Sequence, residues 1–236
     1  MGFMRFLKYL SLCTALLGVA CAQDDIIGSG AAEHCSSREL VVAFEADDTR
    51  VQLNDDRKTV WTNDDRVAVY YASGSVEEWM YNGATGERYA SLGPVSNSTV
   101  SDSDTMMAMA YPYSSDFKFD VAGSSLRAML PATQKYLADS YGVGANLMVG
   151  NVGSPTTMRN VCGWLRLEVT GNGEKVMSIA LRGNRNEQVS GEIIVDTEDA
   201  SSKLTEDSSK AYGVVVLDCG DGVTLSAKAT TIYIAL

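Results

Sequence analysis

What most constrains this chain is a rhythm of short segments in which apolar residues alternate with polar ones, each closed by turn chemistry. ELVVAFEA (39–46), VQL (51–53), TVW (59–61), RVAVYYA (66–72), EEWMY (77–81), ERYASL (87–92) and MMAMAYPY (106–113) are rich in β-branched and aromatic residues. DDT, NDDRK, TNDD, Asn82-Gly83 and SDSD stand between them. A period of two over runs of about four to eight residues specifies strands that bury one face. Gaps this short leave no room for crossover helices, so the pattern predicts an antiparallel sandwich or barrel and not βαβ units.

The rhythm resumes in GWLRLEVTG (163–171), KVMSIALRG (175–183), SGEIIVD (190–196), AYGVVVL (211–217) and VTLSAKATTIYIAL (223–236). Gly153-Ser154-Pro155 is the best boundary between the two sets, giving an N-terminal β-sandwich over 39–153 and a second β-domain over 154–236. Between them, Ala, Gln, Lys and Leu in the stretch after Pro131 predict one short helical turn, the only helix the chain suggests. TTIYIAL stops on its apolar run, so it is either the last strand of its domain or the point where a longer fold is cut short.

Ahead of the first strand the chain reads as an address. Arg5 and Lys8 precede the apolar run YLSLCTALLGVA (9–20), which is too short to span a bilayer, and residues 1–20 read as a signal peptide. Leu17-Gly18-Val19-Ala20-Cys21 resembles a lipobox, in which Cys21 would be acylated and become the new N-terminus. A plain signal peptidase acting at Ala20-Cys21-Ala22 is the alternative. Residues 21–38 are small and polar and predict a flexible tether, so membrane attachment would rest on the lipid of Cys21.

Lys plus Arg number 19 against 30 Asp plus Glu, a net charge of −11, which argues against nucleic acid or an anionic lipid surface as a partner. The single histidine, His34, leaves almost no material for a His-rich metal site or a Ser-His-Asp triad. Beyond Cys13 and Cys21, the cysteines Cys35, Cys162 and Cys219 have no CxxC spacing. Cys162 and Cys219 lie in apolar stretches and read as small core residues, with a disulfide between them as the alternative.

GVGANLMVG (142–150) lacks the third glycine of a dinucleotide fingerprint and reads as loop. NDDR occurs at 54–57 and 63–66, and its carboxylates, with Asp102-Ser103-Asp104 and Asp196-Thr197-Glu198-Asp199, read as solvated turns. The competing reading is calcium binding or acid–base work by Asp56, Asp65 or Asp104. Trp61, Trp79 and Trp164 sit in alternating strands and predict core positions, Trp61 and Trp164 at the centres of their domains. The alternative is a surface that stacks glycan on Trp79 with Tyr81 and Tyr89. No catalytic residue, metal or cofactor is predicted.

Particular motifs add a resemblance. TRVQLNDDRKTVWTNDDRVAVYYASG (49–74) resembles the opening of Bacteroidales fimbrillin-like (Mfa-like) surface lipoproteins. AMAYPYSS (108–115) is similar to the family's A-x-YPYS strand and MLPATQKY (129–136) to its LPxxQ turn. NVCGWLRLEVTGNGEKVMSIALRGNRNEQVSGEI (160–193) resembles the start of its second domain, and TIYIAL matches a strand that relatives follow with Pro-Pro. The resemblance implies an all-β fold of two transthyretin-like antiparallel β-sandwich domains in series, the second short of its closing strands. It implies a lipoprotein of the outer membrane or of a fimbrium, with other fimbrial subunits, surface proteins or a host receptor as partners. In polymerising members a protease removes the first strand and a neighbour's segment refills the groove. By that analogy Arg50 is the processing site, because a cut at Arg38 would leave the strand in place.

Overall fold

The computed structural model describes residues 38–44, 52–53, 59–96, 98–153, 156–185, 187–205 and 211–236, and every regular element among them is a strand. In chain order the first thirteen are β1 (Leu40–Phe44), β2 (Gln52–Leu53), β3 (Thr59–Val60), β4 (Arg66–Tyr71), β5 (Val76–Tyr81), β6 (Tyr89–Pro94), β7 (Met106–Tyr111), β8 (Lys118–Asp120), β9 (Ser125–Leu130), β10 (Thr133–Leu137), β11 (Ser140–Tyr141), β12 (Met148–Asn151) and β13 (Thr156–Asn160). The rest are β14 (Trp164–Val169), β15 (Lys175–Arg182), β16 (Ser190–Asp196), β17 (Ser202–Leu204), β18 (Ala211–Tyr212), β19 (Val214–Thr224) and β20 (Thr230–Ala235).

Seven of these strands form a closed barrel in the order β1-β13-β12-β7-β4-β5-β6. Closure depends on β1, which pairs antiparallel with β6 and parallel with β13. The other neighbours in the ring are antiparallel. Val67, Val69 and Tyr71 of β4 and Met109 and Tyr111 of β7 point inward, with Trp61, Trp79, Leu92, Met148 and Met158. The intervening residues Ala68, Tyr70, Ala108, Ala110 and Val149 face outward and are buried too. A second sheet, β17-β16-β9-β8 with β18 on β16, lays Leu126, Ala128, Ile193 and Val195 over them. The alternation along β7 is therefore large against small, and its small outer residues let the covering sheet come close.

A third core lies where β14-β20 faces β11-β10-β19-β15. Val215, Leu217, Cys219, Ile232 and Ile234 are buried there, while Leu165, Leu167, Val169, Val176 and Ile179 are only partly covered.

The all-β class stands, and the unit built on the first strands is a closed barrel. Three local expectations are corrected. The helical turn after Pro131 is strand: β10 and β11 pair with each other, and β10 lies parallel to β19. Tertiary pairing overrides helix propensity there. GVGANLMVG is loop only in part, since it ends in β12. Its Gly150 is required by close approach, because a Cβ there would lie 2.3 Å from the carbonyl oxygen of Thr157. DCGDG (218–222), which separates the predicted runs AYGVVVL and VTLSAKATTIYIAL, joins them inside a single strand, β19, with Gly220 and Gly222 at positive φ opposite a register shift in β15. Pairing also crosses residue 153 in both directions: β13 belongs to the barrel, and β8, β9 and β10 belong to sheets with β16 and β19.

Candidate functional site

β1 occupies a seat between two strands that do not otherwise meet. On one flank Leu40, Val41, Val42 and Ala43 pair with Leu92, Ser91, Ala90 and Tyr89 of β6. On the other, Val42, Ala43 and Phe44 run beside Thr156, Thr157 and Met158 of β13. Leu40, Val42 and Phe44 enter the barrel, Val42 with no exposed surface. Phe44 stacks on Trp61 at 4.8 Å and 24°. Burying three such side chains contributes on the order of 5–9 kcal/mol, comparable to the whole stability of a typical domain. Without β1, the backbone edges of β6 and β13 and the interior between them would be uncovered.

A polar cluster stands at the N-terminal end of this strand. The Arg38 guanidinium donates from Nε to Asp102 Oδ1 (2.9 Å), from Nη1 to Ser98 Oγ (3.1 Å) and from Nη2 to the Val100 carbonyl (2.9 Å). It lies 3.7 Å from Glu77 Oε2, and its Cζ sits 5.9 Å from the Tyr71 ring centroid. Glu77 also accepts from the hydroxyls of Tyr71 and Ser98 and, at 3.2 Å, from Trp79 Nε1. Burial alone would raise the Glu77 carboxyl, but these hydrogen bonds and the Arg38 charge outweigh it and hold the group below its ordinary value. Burial, with the hydrogen bond to Glu77, pushes the Tyr71 hydroxyl the other way, upward.

The predicted site residues fall unevenly on this frame. Cys21, His34, Cys35, Arg50 and Asp56 lie outside the described residues. Asp65 is buried, accepting from the Thr62 amide (2.7 Å) and the Tyr111 hydroxyl (3.2 Å), and burial raises its carboxyl to about 6. Asp104 instead accepts from the Ser73 amide (3.2 Å) in the turn beyond β4. The two acids flank opposite ends of β4, roughly 20 Å of extended chain, and share no cleft. The carboxylates of Asp196 and Asp199 accept from the amides of Glu198 (2.7 Å) and Ser201 (2.8 Å), as turn residues do. No group of three or more His, Cys, Asp or Glu among the described residues could hold a metal ion.

Trp79 and Tyr81 are core residues facing the barrel interior, so of the proposed glycan platform only Tyr89 is exposed. Trp61 is central, as predicted. Trp164 departs from expectation: it is partly covered, stacks on Tyr141 at 4.0 Å and packs on the core between barrel and covering sheet. Cys162 and Cys219 are free and buried in different cores, so the disulfide alternative is not realised. Burial pushes the Cys162 thiol up to about 11, which makes it inert.

Sequence reasoning missed the Arg38–Glu77 cluster. Its members are scattered from residue 38 to residue 102, and only Glu77, an acid two residues from Trp79 and so on the same inward face of the strand, could have pointed to it.

No protein-family model, curated protein or solved structure matches the chain.

Proposed function

We propose that this chain is a structural or adhesive cell-surface lipoprotein of fimbrial type, anchored in the outer membrane through Cys21 and assembled by β-strand complementation. In this reading the barrel answers to the first of two transthyretin-like units in series, and the third core, with β14, β15, β19 and β20, to the second. The reading rests on the sequence resemblance to fimbrillin-like proteins. The observation that carries it is the seat of β1: the first strand among the described residues, paired on both flanks and closing a barrel, whose place any extended segment with apolar residues at alternate positions could take. Arg50 follows β1 in sequence within an acidic stretch, where a cut would sever the strand from the barrel that holds it.

The test uses the Cys21→Ser protein treated with an Arg-specific protease. Sequencing should find a new N-terminus at Val51, and the nicked chain should bind a labelled peptide of residues 39–45 or form SDS-resistant ladders with further subunits. A cut elsewhere, or a nicked chain that accepts no strand, overturns strand complementation. For the anchor, labelled palmitate should enter the wild type and not the Cys21→Ser variant.

A further inference from the structure

We propose that Arg38 is a positioning residue that latches β1 in its seat, so that release of the strand requires breaking the Arg38 cluster as well as the two backbone ladders. The inference rests on the strand-exchange reading and adds what controls the exchange.

Arg38 stands two residues ahead of the first residue of β1, and its guanidinium reaches parts of the barrel that β1 itself does not pair with. These are Glu77 on β5, Tyr71 at the end of β4, and Ser98, Val100 and Asp102 in the connection from β6 to β7. The side chains of Arg38 and Glu77 are 12% and 10% exposed, so this contact is largely withdrawn from water. A surface ion pair would carry little weight, but a shielded one differs, because parting it leaves a buried carboxylate without its counter-charge. Withdrawal of β1 moves Arg38 with it and strips Glu77 of its only cation among the described contacts.

In the sequence the cluster's Arg38 precedes β1, whereas Arg50 follows it. A cut after Arg50 removes the covalent link beyond Phe44 and touches none of the Arg38 contacts. The geometry therefore yields an intermediate in which the chain is cut and the strand still seated, and the latch sets how long that state lasts.

The experiment compares Arg38→Ala, Arg38→Lys and Asp102→Asn with the parent in the full Cys21→Ser chain by hydrogen exchange. Asp102→Asn removes the negative charge of the guanidinium's exposed partner while keeping an acceptor oxygen, and it spares the core. Amides of Leu40–Phe44 should exchange roughly 10- to 100-fold faster in Arg38→Ala, less so in Asp102→Asn, with partial recovery in Arg38→Lys. Amides of β9 and β16 should be unchanged. Unaltered exchange in β1, or equal acceleration in β16, overturns the latch. A second measurement separates it from the reading on which it rests: uptake of labelled peptide 39–45 by each nicked protein. Uptake at the same rate with and without Arg38 overturns the latch and leaves strand exchange standing. Faster opening of β1 with no uptake in any variant supports the latch and ends strand exchange.

Discussion

Asp65 carries a charge that burial disfavours, and that gives it a signature in pH. Its carboxyl is raised from 3.8 to about 6 in the folded chain, so between those values the folded state holds a proton that the unfolded state has released. Stability from this residue is therefore fully present below about pH 4 and lost as pH rises through 6, by up to about 3 kcal/mol. Urea unfolding at about pH 4 and about pH 7 should show Asp65→Asn losing less stability over that interval than the parent. Trp61 sets a different scale, since it is fully buried and touches Phe44, Tyr81 and Tyr111. Trp61→Ala should cost about 3–5 kcal/mol, whereas Trp164→Ala, from a partly covered site, should cost less; thermal melts of the two variants check the order. Trp61 was legible in the sequence because valine and acidic turn residues frame it. The Trp164 environment was not, because the same alternation describes a residue at a core's centre and one stacked at its margin.

Strands with clean alternation fall where their residues indicate: the ends of β4, β5, β6 and β7 lie within two residues of the predicted runs. The elements that were not legible owe their existence to partners far away in the chain. β9 gains its ladder from β16 and β10 from β19, and nothing local in LRAML or TQKYL announces either. Glycine misled twice, in β12 and in β19, because in isolation a residue that marks a turn is indistinguishable from one that permits close approach or a bulge. Gly150 makes this testable. An alanine there would drive its Cβ against the Thr157 carbonyl oxygen in the neighbouring strand, backbone that cannot swing aside. Gly150→Ala should lower stability by about 1–3 kcal/mol, read as a reduced melting temperature with strand content retained below it.

At the scale of the whole molecule, layers are held together by what is small. Ala68, Ala108 and Ala110 make a low outer wall on the barrel, against which Leu126, Ala128, Ile193 and Val195 settle. Ala110→Leu should push these layers apart at about 1–3 kcal/mol, with hydrogen exchange rising in β9 and β16 more than in β5 and β6. The all-β class was legible because it follows from period and spacing; the closed ring was not, since closure depends on β1 lying parallel to a strand more than a hundred residues later. That one closing strand has a mechanical side. If the chain is held by its beginning and severed beyond Phe44, the barrel hangs from its tether by β1 alone, gripped along both edges. A pull along the strand is then shared across both flanks at once, as in a lap joint. Such a coupling resists a brief tug and slips under a sustained one, so the fold would turn a covalent leash into a grip that can let go.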